Sequence, residues 1–127
     1  MPEDLRARGR QWSGFRMMID WGRVSELRAE LGGEDFSEVV SLFLEEGDEL
    51  ANRLRAGISS ASVEAELHFL KGSALNLGLG RLARLCQEGE RLAAKGEAAS
   101  VDLYEVADIW ERSKAEFLAG LNRLVAA

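Results

Sequence analysis

The sequence predicts an all-α fold, an antiparallel up-and-down four-helix bundle with a short additional N-terminal helix. Apolar residues recur at helical spacing through five consecutive segments, and glycine or a polar capping residue separates each segment from the next. No segment shows the alternation of apolar and polar residues that is typical of strands. Because the connections are short, neighbouring helices should run antiparallel. The length of 127 residues, of which 46% are hydrophobic, fits one domain.

The N-terminal segment differs from the rest of the chain, because residues 1–18 show no helical stripe. They carry four arginines, Arg6, Arg8, Arg10 and Arg16. We therefore interpret residues 1–18 as a loosely ordered arm and residues 19–127 as the bundle domain. Helical spacing begins after Asp20 and ends at Gly32 and Gly33, since glycine favours the end of a helix. The apolar stripe of this short first helix comprises Val24, Leu27 and Leu31.

The second helix has a start signal and a long apolar stripe. Asp35 followed by Glu38 has the spacing of a capping box, which predicts a helix start at this point. The helix should continue to about Gly57, where glycine interrupts the pattern. Its stripe comprises Phe36, Val40, Phe43, Gly47, Leu50 and Leu54.

The last three helices follow in the same way. Ser59 or Ser60 can cap the third, which should end at the Gly78–Gly80 turn, and its stripe comprises Val63, Leu67, Leu70, Ala74 and Leu77. The fourth should end near Gly96, and it buries Leu82, Leu85, Cys86, Gly89 and Leu92. Ser100 is predicted to open the last helix, whose inward residues are Leu103, Val106, Trp110, Phe117, Leu121 and Leu124.

Composition excludes several classes of function. A formal net charge of -6 argues against nucleic-acid binding, which depends on Lys and Arg. The only cysteine, Cys86, cannot form an internal disulfide, and with one histidine it cannot build a usual zinc site. No apolar run approaches the roughly 20 residues of a membrane-spanning helix, and the N-terminus lacks the apolar core of a signal peptide. We expect a cytoplasmic protein that binds neither membrane nor nucleic acid.

His68, the only histidine, is predicted to point outward from the third helix. A helix turns about 100° per residue, which places His68 roughly 140° from the centre of the apolar stripe. The residues around it are small or apolar where a solvated helix would ordinarily carry charge, which predicts a docked partner. The predicted docking residues are Ala61, Glu64, Ala65, Leu75 and Leu79.

The residue types around His68 suit transfer of a phosphoryl group. A neutral imidazole nitrogen is nucleophilic at cellular pH, so His68 can accept and release such a group. Gly72, one turn later, costs the helix roughly 1 kcal/mol relative to Ala, which makes sense if a partner must approach closely. Lys71, three residues after His68, can reach the phosphoryl oxygens.

The segment His68-Phe69-Leu70-Lys71-Gly72-Ser73, with Leu77-Gly78, Leu82, Leu85-Cys86 and Glu90 after it, resembles the signature of histidine phosphotransfer (HPt) domains. The segment from Asp35-Phe36 through Phe43-Leu44-Glu45-Glu46 to Leu54 is similar to the second helix of that family. Two positions differ from the family pattern. Gly89 stands where the family usually has Leu, and Ala74 stands where a second Ser is frequent.

The resemblance implies that His68 accepts a phosphoryl group and that Lys71 and Gly72 support this role. The implied partners are response-regulator receiver domains, whose Asp donates or accepts the group, and a hybrid sensor histidine kinase. The resemblance implies no ATP hydrolysis, and the sequence contains no Gly-rich phosphate loop or kinase signature. Mg²⁺ would belong to the receiver, so we expect no cofactor on this chain. We expect a monomer.

Two other functions stay open at this stage. In the first, the bundle is a scaffold that binds a receiver while His68 stays idle. In the second, the chain is an enzyme such as a phosphatase, although one histidine without a second base or a metal cluster gives little chemistry. The acidic residues of the second helix point around its axis and are typical of a solvated face, so we assign no metal. They are Glu45, Glu46, Asp48 and Glu49.

Overall fold

The computed structural model describes residues 17–126, with side chains up to Leu124, and consists of five α-helices. Their bounds are Trp21–Leu31 (α1), Gly33–Ala56 (α2), Ser60–Leu77 (α3), Gly80–Ala94 (α4) and Leu103–Ala126 (α5), with a short 3₁₀ turn at Ala98–Ser100. These residues contain no strand, and the all-α prediction is confirmed. Most of the predicted N-terminal arm lies outside the described residues.

The beginnings of α2 and α5 differ from the sequence prediction. Helix α2 begins at Gly33, directly after α1, so Asp35 lies inside the first turn and the predicted capping box is wrong. Its carboxylate there still favours the helix, because the first turn carries unpaired N–H groups. Helix α5 begins at Leu103, not at Ser100, which ends the 3₁₀ turn. Asp102 caps α5 by accepting a hydrogen bond from the Glu105 N–H at 3.0 Å.

Helix α1 covers the end of the bundle at which α3 turns into α4. The Asp20 N–H donates to the Gly78 carbonyl at 2.7 Å, which joins the start of α1 to this turn. Trp21 stacks on Phe117 of α5, with ring centroids 6.0 Å apart. A Cβ on Gly120 would overlap the Trp21 ring, so this glycine makes the contact possible.

The four longer helices enclose one core. Helix α3 packs against α2 and α4, whereas α5 packs against α2 and α4 and has no Cα within 8 Å of α3 in the described residues. Helix α5 therefore lies diagonally opposite α3, and the outward faces of these two helices lie on opposite sides of the molecule. The largest fully buried side chains are Trp110, Phe117, Leu50, Leu54, Leu67, Leu70, Leu77, Leu79 and Leu82.

Asp48 links α2 to α5 at the edge of the core. It accepts hydrogen bonds from Trp110 Nε1 at 2.9 Å and from Lys114 Nζ at 2.6 Å. The Trp110 ring packs against Gly47, where a Cβ would overlap it. Partial burial of the Asp48 carboxyl acts to raise its pKa, but the hydrogen bonds from Lys114 and Trp110 outweigh burial and lower the pKa.

Replacing Asp48 with Ala should lower the free energy of unfolding by about 1–2 kcal/mol, because the Trp110 N–H loses its acceptor. Urea denaturation followed by circular dichroism measures this change. The matched control is Glu49→Ala, which removes an exposed carboxylate from the next position and should change stability by less than about 0.5 kcal/mol.

The effect of Asp48 should also depend on pH, because the lowered pKa belongs to the folded state. Its contribution to stability is present above the ordinary pKa of 3.8 and disappears as pH falls below that value. The loss caused by Asp48→Ala should therefore shrink in acid. An equal loss at pH 7 and at pH 2 would contradict this account.

Candidate functional site

His68 lies in the middle of α3, and its side chain is 72% exposed. Its Nδ1 lies 2.8 Å from Oε1 of Glu90 on α4. No other hydrogen bond joins the imidazole to a side chain among the described residues. One ring nitrogen is therefore held by the neighbouring helix, and the other, Nε2, faces solvent.

Glu90 connects His68 to Lys71. Its second oxygen, Oε2, accepts a hydrogen bond from Lys71 Nζ at 2.8 Å, and both side chains are about one-fifth exposed. Burial of the Glu90 carboxyl acts to raise its pKa. The hydrogen bonds from Lys71 and His68 outweigh burial, so the pKa lies below its ordinary value and the group is a carboxylate at neutral pH.

The charge of Glu90 determines which nitrogen of His68 carries the proton. A carboxylate only accepts hydrogen bonds, so Nδ1 must donate to Oε1. In the neutral imidazole, the lone pair then lies on Nε2. The site thus presents a nucleophilic nitrogen to solvent, with an ammonium group one helical turn away on Lys71.

Gly89 allows α4 to approach α3 closely beside this site. A Cβ at Gly89 would lie 2.6 Å from Cδ1 of the buried Leu67 and 3.1 Å from Cγ1 of Val101. A larger residue would force the two helices apart or displace Leu67. The glycine at this position, where the family usually has Leu, therefore allows the close helix packing that supports the neighbouring Glu90.

Gly72 stands in contrast to Gly89. A Cβ at Gly72 would meet no atom within 4 Å, and the residue lies in regular helix without a positive φ. Nothing in the described part of the chain requires glycine here, although glycine weakens a helix. The open space beside Gly72 leaves room for the close approach of a partner, which stays a prediction.

The structure brings together four of the five predicted docking residues. Ala61, Glu64, Ala65 and Leu75 are all exposed on the side of α3 that carries His68 and Gly72. We call these six residues the docking face. Its largest apolar side chain is Leu75, which is 45% exposed.

Leu79 is the exception, because its side chain is fully buried. Helix α3 ends at Leu77, and Gly78 adopts φ 80°, so the chain leaves the helical path before Leu79. The angle expected for a continuing helix therefore does not apply, and the assignment of Leu79 to the docking surface is wrong. Leu79 instead lies in the core, at the residue before α4.

Two residues near His68 were not predicted to matter. Glu90 formed part of the family pattern, but no contact with His68 follows from the sequence alone. Phe69, the residue after His68, is 50% exposed. The only sequence signal for it was an aromatic residue on a half-polar helix. Ser73, the last residue of the segment that resembles the family signature, is buried.

Cys86 lies beneath the site and is buried, as predicted. Burial raises the pKa of its thiol to about 12, and the negative charge of Glu90 acts in the same direction. The thiol is therefore protonated and behaves as an apolar core group. Among residues 17–126, no three His, Cys, Asp or Glu side chains are grouped so that they could hold a metal ion.

Comparison with protein families decides what kind of domain carries this site. The family model described as Hpt domain matches residues 38–127, which extend from α2 to the end of the chain and include His68 and Glu90. The chain belongs to the Hpt family. Hpt domains are phosphocarrier modules that take part in histidine phosphotransfer in two-component signalling, where they interact with receiver domains and kinases.

The other comparisons add no relative to this Hpt protein. No curated protein and no solved structure matches the chain significantly. Helix α1 precedes the residues that the Hpt model matches. None of the described helices is long and apolar enough to span a membrane.

The neutral imidazole of His68 should carry its proton on Nδ1, and Glu90→Ala should shift the proton towards Nε2 by removing the acceptor. The ¹⁵N chemical shifts of the ring report this directly, and the only histidine of the chain gives an unambiguous signal. Glu90→Gln should retain the Nδ1–H form, because its amide oxygen still accepts. The control Glu88→Ala, on the exposed side of α4, should leave the ring signals unchanged.

Proposed function

We propose that this protein accepts a phosphoryl group on Nε2 of His68 and passes it to or from an Asp of a response-regulator receiver domain. The observation that carries the proposal is the exposed imidazole whose Nδ1 is bound to Glu90, because this contact leaves Nε2 as the free nucleophile. A reactive nitrogen fixed in direction by a neighbouring carboxylate is what a transfer reaction needs.

The transfer step needs no proton to be added to or removed from the aspartyl phosphate. The lone pair of His68 Nε2 attacks the phosphorus of the aspartyl phosphate while the bond from phosphorus to the Asp oxygen breaks. The Asp leaves as a carboxylate with the bonding electron pair. The imidazole becomes positively charged, and the carboxylate of Glu90, 2.8 Å from Nδ1, stabilises that charge. In the reverse direction the same bonds form and break.

Lys71 supports the phosphorylated state in this proposal. Its ammonium group donates to Glu90 at 2.8 Å, and an ammonium has three donors, so two remain for other acceptors. A phosphoryl group on His68 would bring its oxygens near Lys71, because the two residues are one helical turn apart. Lys71 then offsets negative charge that Glu90 and the phosphoryl group place close together.

The partners follow from the proposed reaction. A receiver domain supplies the acceptor Asp together with Mg²⁺, and a hybrid sensor histidine kinase is the other proposed partner. In this proposal the chain acts as a monomeric carrier in the cytoplasm, without a cofactor of its own. A scaffold with an idle His68 is the alternative outcome, and the intact contacts among His68, Lys71 and Glu90 favour the carrier.

His68→Gln should leave the fold intact, because the side chain is exposed, but should abolish acceptance of the phosphoryl group. The measurement mixes the protein with each receiver domain of the source organism after the receiver has been labelled with radioactive acetyl phosphate. Wild type should take up a label that is acid-labile and alkali-stable, as a phosphorus–nitrogen bond requires. Uptake by His68→Gln at the wild-type rate would refute the proposal.

Gly72→Gln should slow transfer from a receiver by about tenfold or more. An effect of this size is expected when reacting groups are misplaced. The longer side chain would occupy open space one turn from His68, where the receiver must approach. Folding should not suffer, since Gln favours a helix over Gly by about 0.5 kcal/mol. The control Gly33→Gln fills equally open space at the start of α2 and should transfer at the wild-type rate.

A further inference from the structure

The charges that border the docking face are unevenly distributed. Helix α4 carries three exposed arginines, Arg81, Arg84 and Arg91, and its only acidic residues are Glu88 and Glu90. A fourth exposed basic residue, Lys95, follows its last residue. This helix is therefore basic in a chain whose formal net charge is -6. Helix α2 has the opposite character, with seven acidic residues against two arginines.

Arg84 and Arg91 lie along the edge of α4 that adjoins the docking face. Glu90 points at His68, and Arg91 is the next residue, about 100° further around the helix on the exposed side. Arg84 precedes Arg91 by seven residues, which places it two turns away on the same side of α4. The two guanidinium groups thus form a basic edge beside His68.

The opposite border of the docking face is acidic. Arg53 of α2 bonds to Glu66 of α3 at 3.0 Å, and this pair marks the side of α2 that faces α3. Glu46 and Glu49 precede Arg53 by seven and four residues and lie on the same side. The docking face itself carries one exposed carboxylate, Glu64, and no Lys or Arg. The positive charge beside it therefore comes from α4.

The basic edge contributes little to the fold. Arg53 and Arg55 of α2 pair with acidic residues on neighbouring helices, as structural ion pairs do. Arg84, in contrast, pairs among the described side chains only with Glu88 of its own helix, at 3.4 Å, and such exposed pairs contribute little to stability. Arg91 makes no ion pair with any side chain of residues 17–124. Both guanidinium groups are available to a partner.

We propose that Arg84 and Arg91 bind carboxylates on the surface of the receiver domain and orient it over His68. The proposal rests on the proposed function, and it specifies the side on which the partner's acidic groups lie. A receiver surface around an acceptor Asp and Mg²⁺ is rich in carboxylates, because Mg²⁺ is held by carboxylate oxygens. Glu46 and Glu49 repel such groups from the other border, so only one orientation places charges favourably.

This edge acts on association and not on the chemical step. Complementary charges at the rim of an interface raise the rate of encounter, and salt weakens the effect. Transfer from the receiver to wild type should therefore slow as ionic strength rises. Reaction of His68 with a small phosphoryl donor, which needs no docking, should not depend on the edge.

The test compares two double variants with the same change in net charge. R84E/R91E reverses the basic edge, and the control R112E/R123E reverses two exposed arginines on α5, diagonally opposite α3. The probes are phosphoramidate, a small donor, and the receiver domain that labels wild type. We expect equal labelling of all three proteins by phosphoramidate. With the receiver, R84E/R91E should react about tenfold or more slowly than the control, and rising ionic strength should speed its reaction, because the reversed charges repel the receiver.

Each result has one meaning. Equal receiver rates for R84E/R91E and R112E/R123E would overturn the role of the basic edge while leaving phosphotransfer intact. Failure of every receiver to label wild type would instead refute the proposed function. Slow labelling of R84E/R91E by phosphoramidate would also contradict the proposal, since it would place the arginines in the chemical step. R84A/R91A, which only removes charge, should show an intermediate rate.

Discussion

The site depends on one carboxylate, that of Glu90, which binds His68 through one oxygen and Lys71 through the other. Without it, the imidazole could rotate and exchange tautomers, and the lysine would lose its nearest counter-charge. The contact joins two helices, so it exists only because α3 and α4 pack closely beside Gly89. The position of the His68 imidazole therefore depends on the packing of the bundle.

Glycines serve opposite purposes in this bundle. At Gly47, Gly89 and Gly120 a side chain would collide with a neighbouring one, and the absence of Cβ lets helices or aromatic rings come together. At Gly72 the space is empty on the outside of the molecule. The first group serves the fold of the chain, whereas Gly72 has no such packing role among the described residues and leaves room for the proposed partner.

Charge adds a second level of organisation to the docking face. Apart from His68 and Glu64, the docking face is made of small and apolar side chains, which any complementary surface could cover. The basic border on α4 and the acidic border on α2 make the face asymmetric, so electrostatic interactions can select one orientation of the partner. The imidazole of His68 and the two borders lie on three different helices, and the bundle holds them at fixed positions.

The sequence by itself determined the all-α class, the helical segments, the outward direction of His68 and the burial of Cys86, because all of these follow from periodicity along a single helix. It failed where the chain leaves a helix: Leu79 is buried because Gly78 turns the backbone, and α5 begins after Asp102 because a 3₁₀ turn intervenes. Only the tertiary structure decided that Glu90 meets His68 and Lys71. That contact joins residues 22 and 19 positions apart on different helices, and their distance depends on how closely α3 and α4 pack.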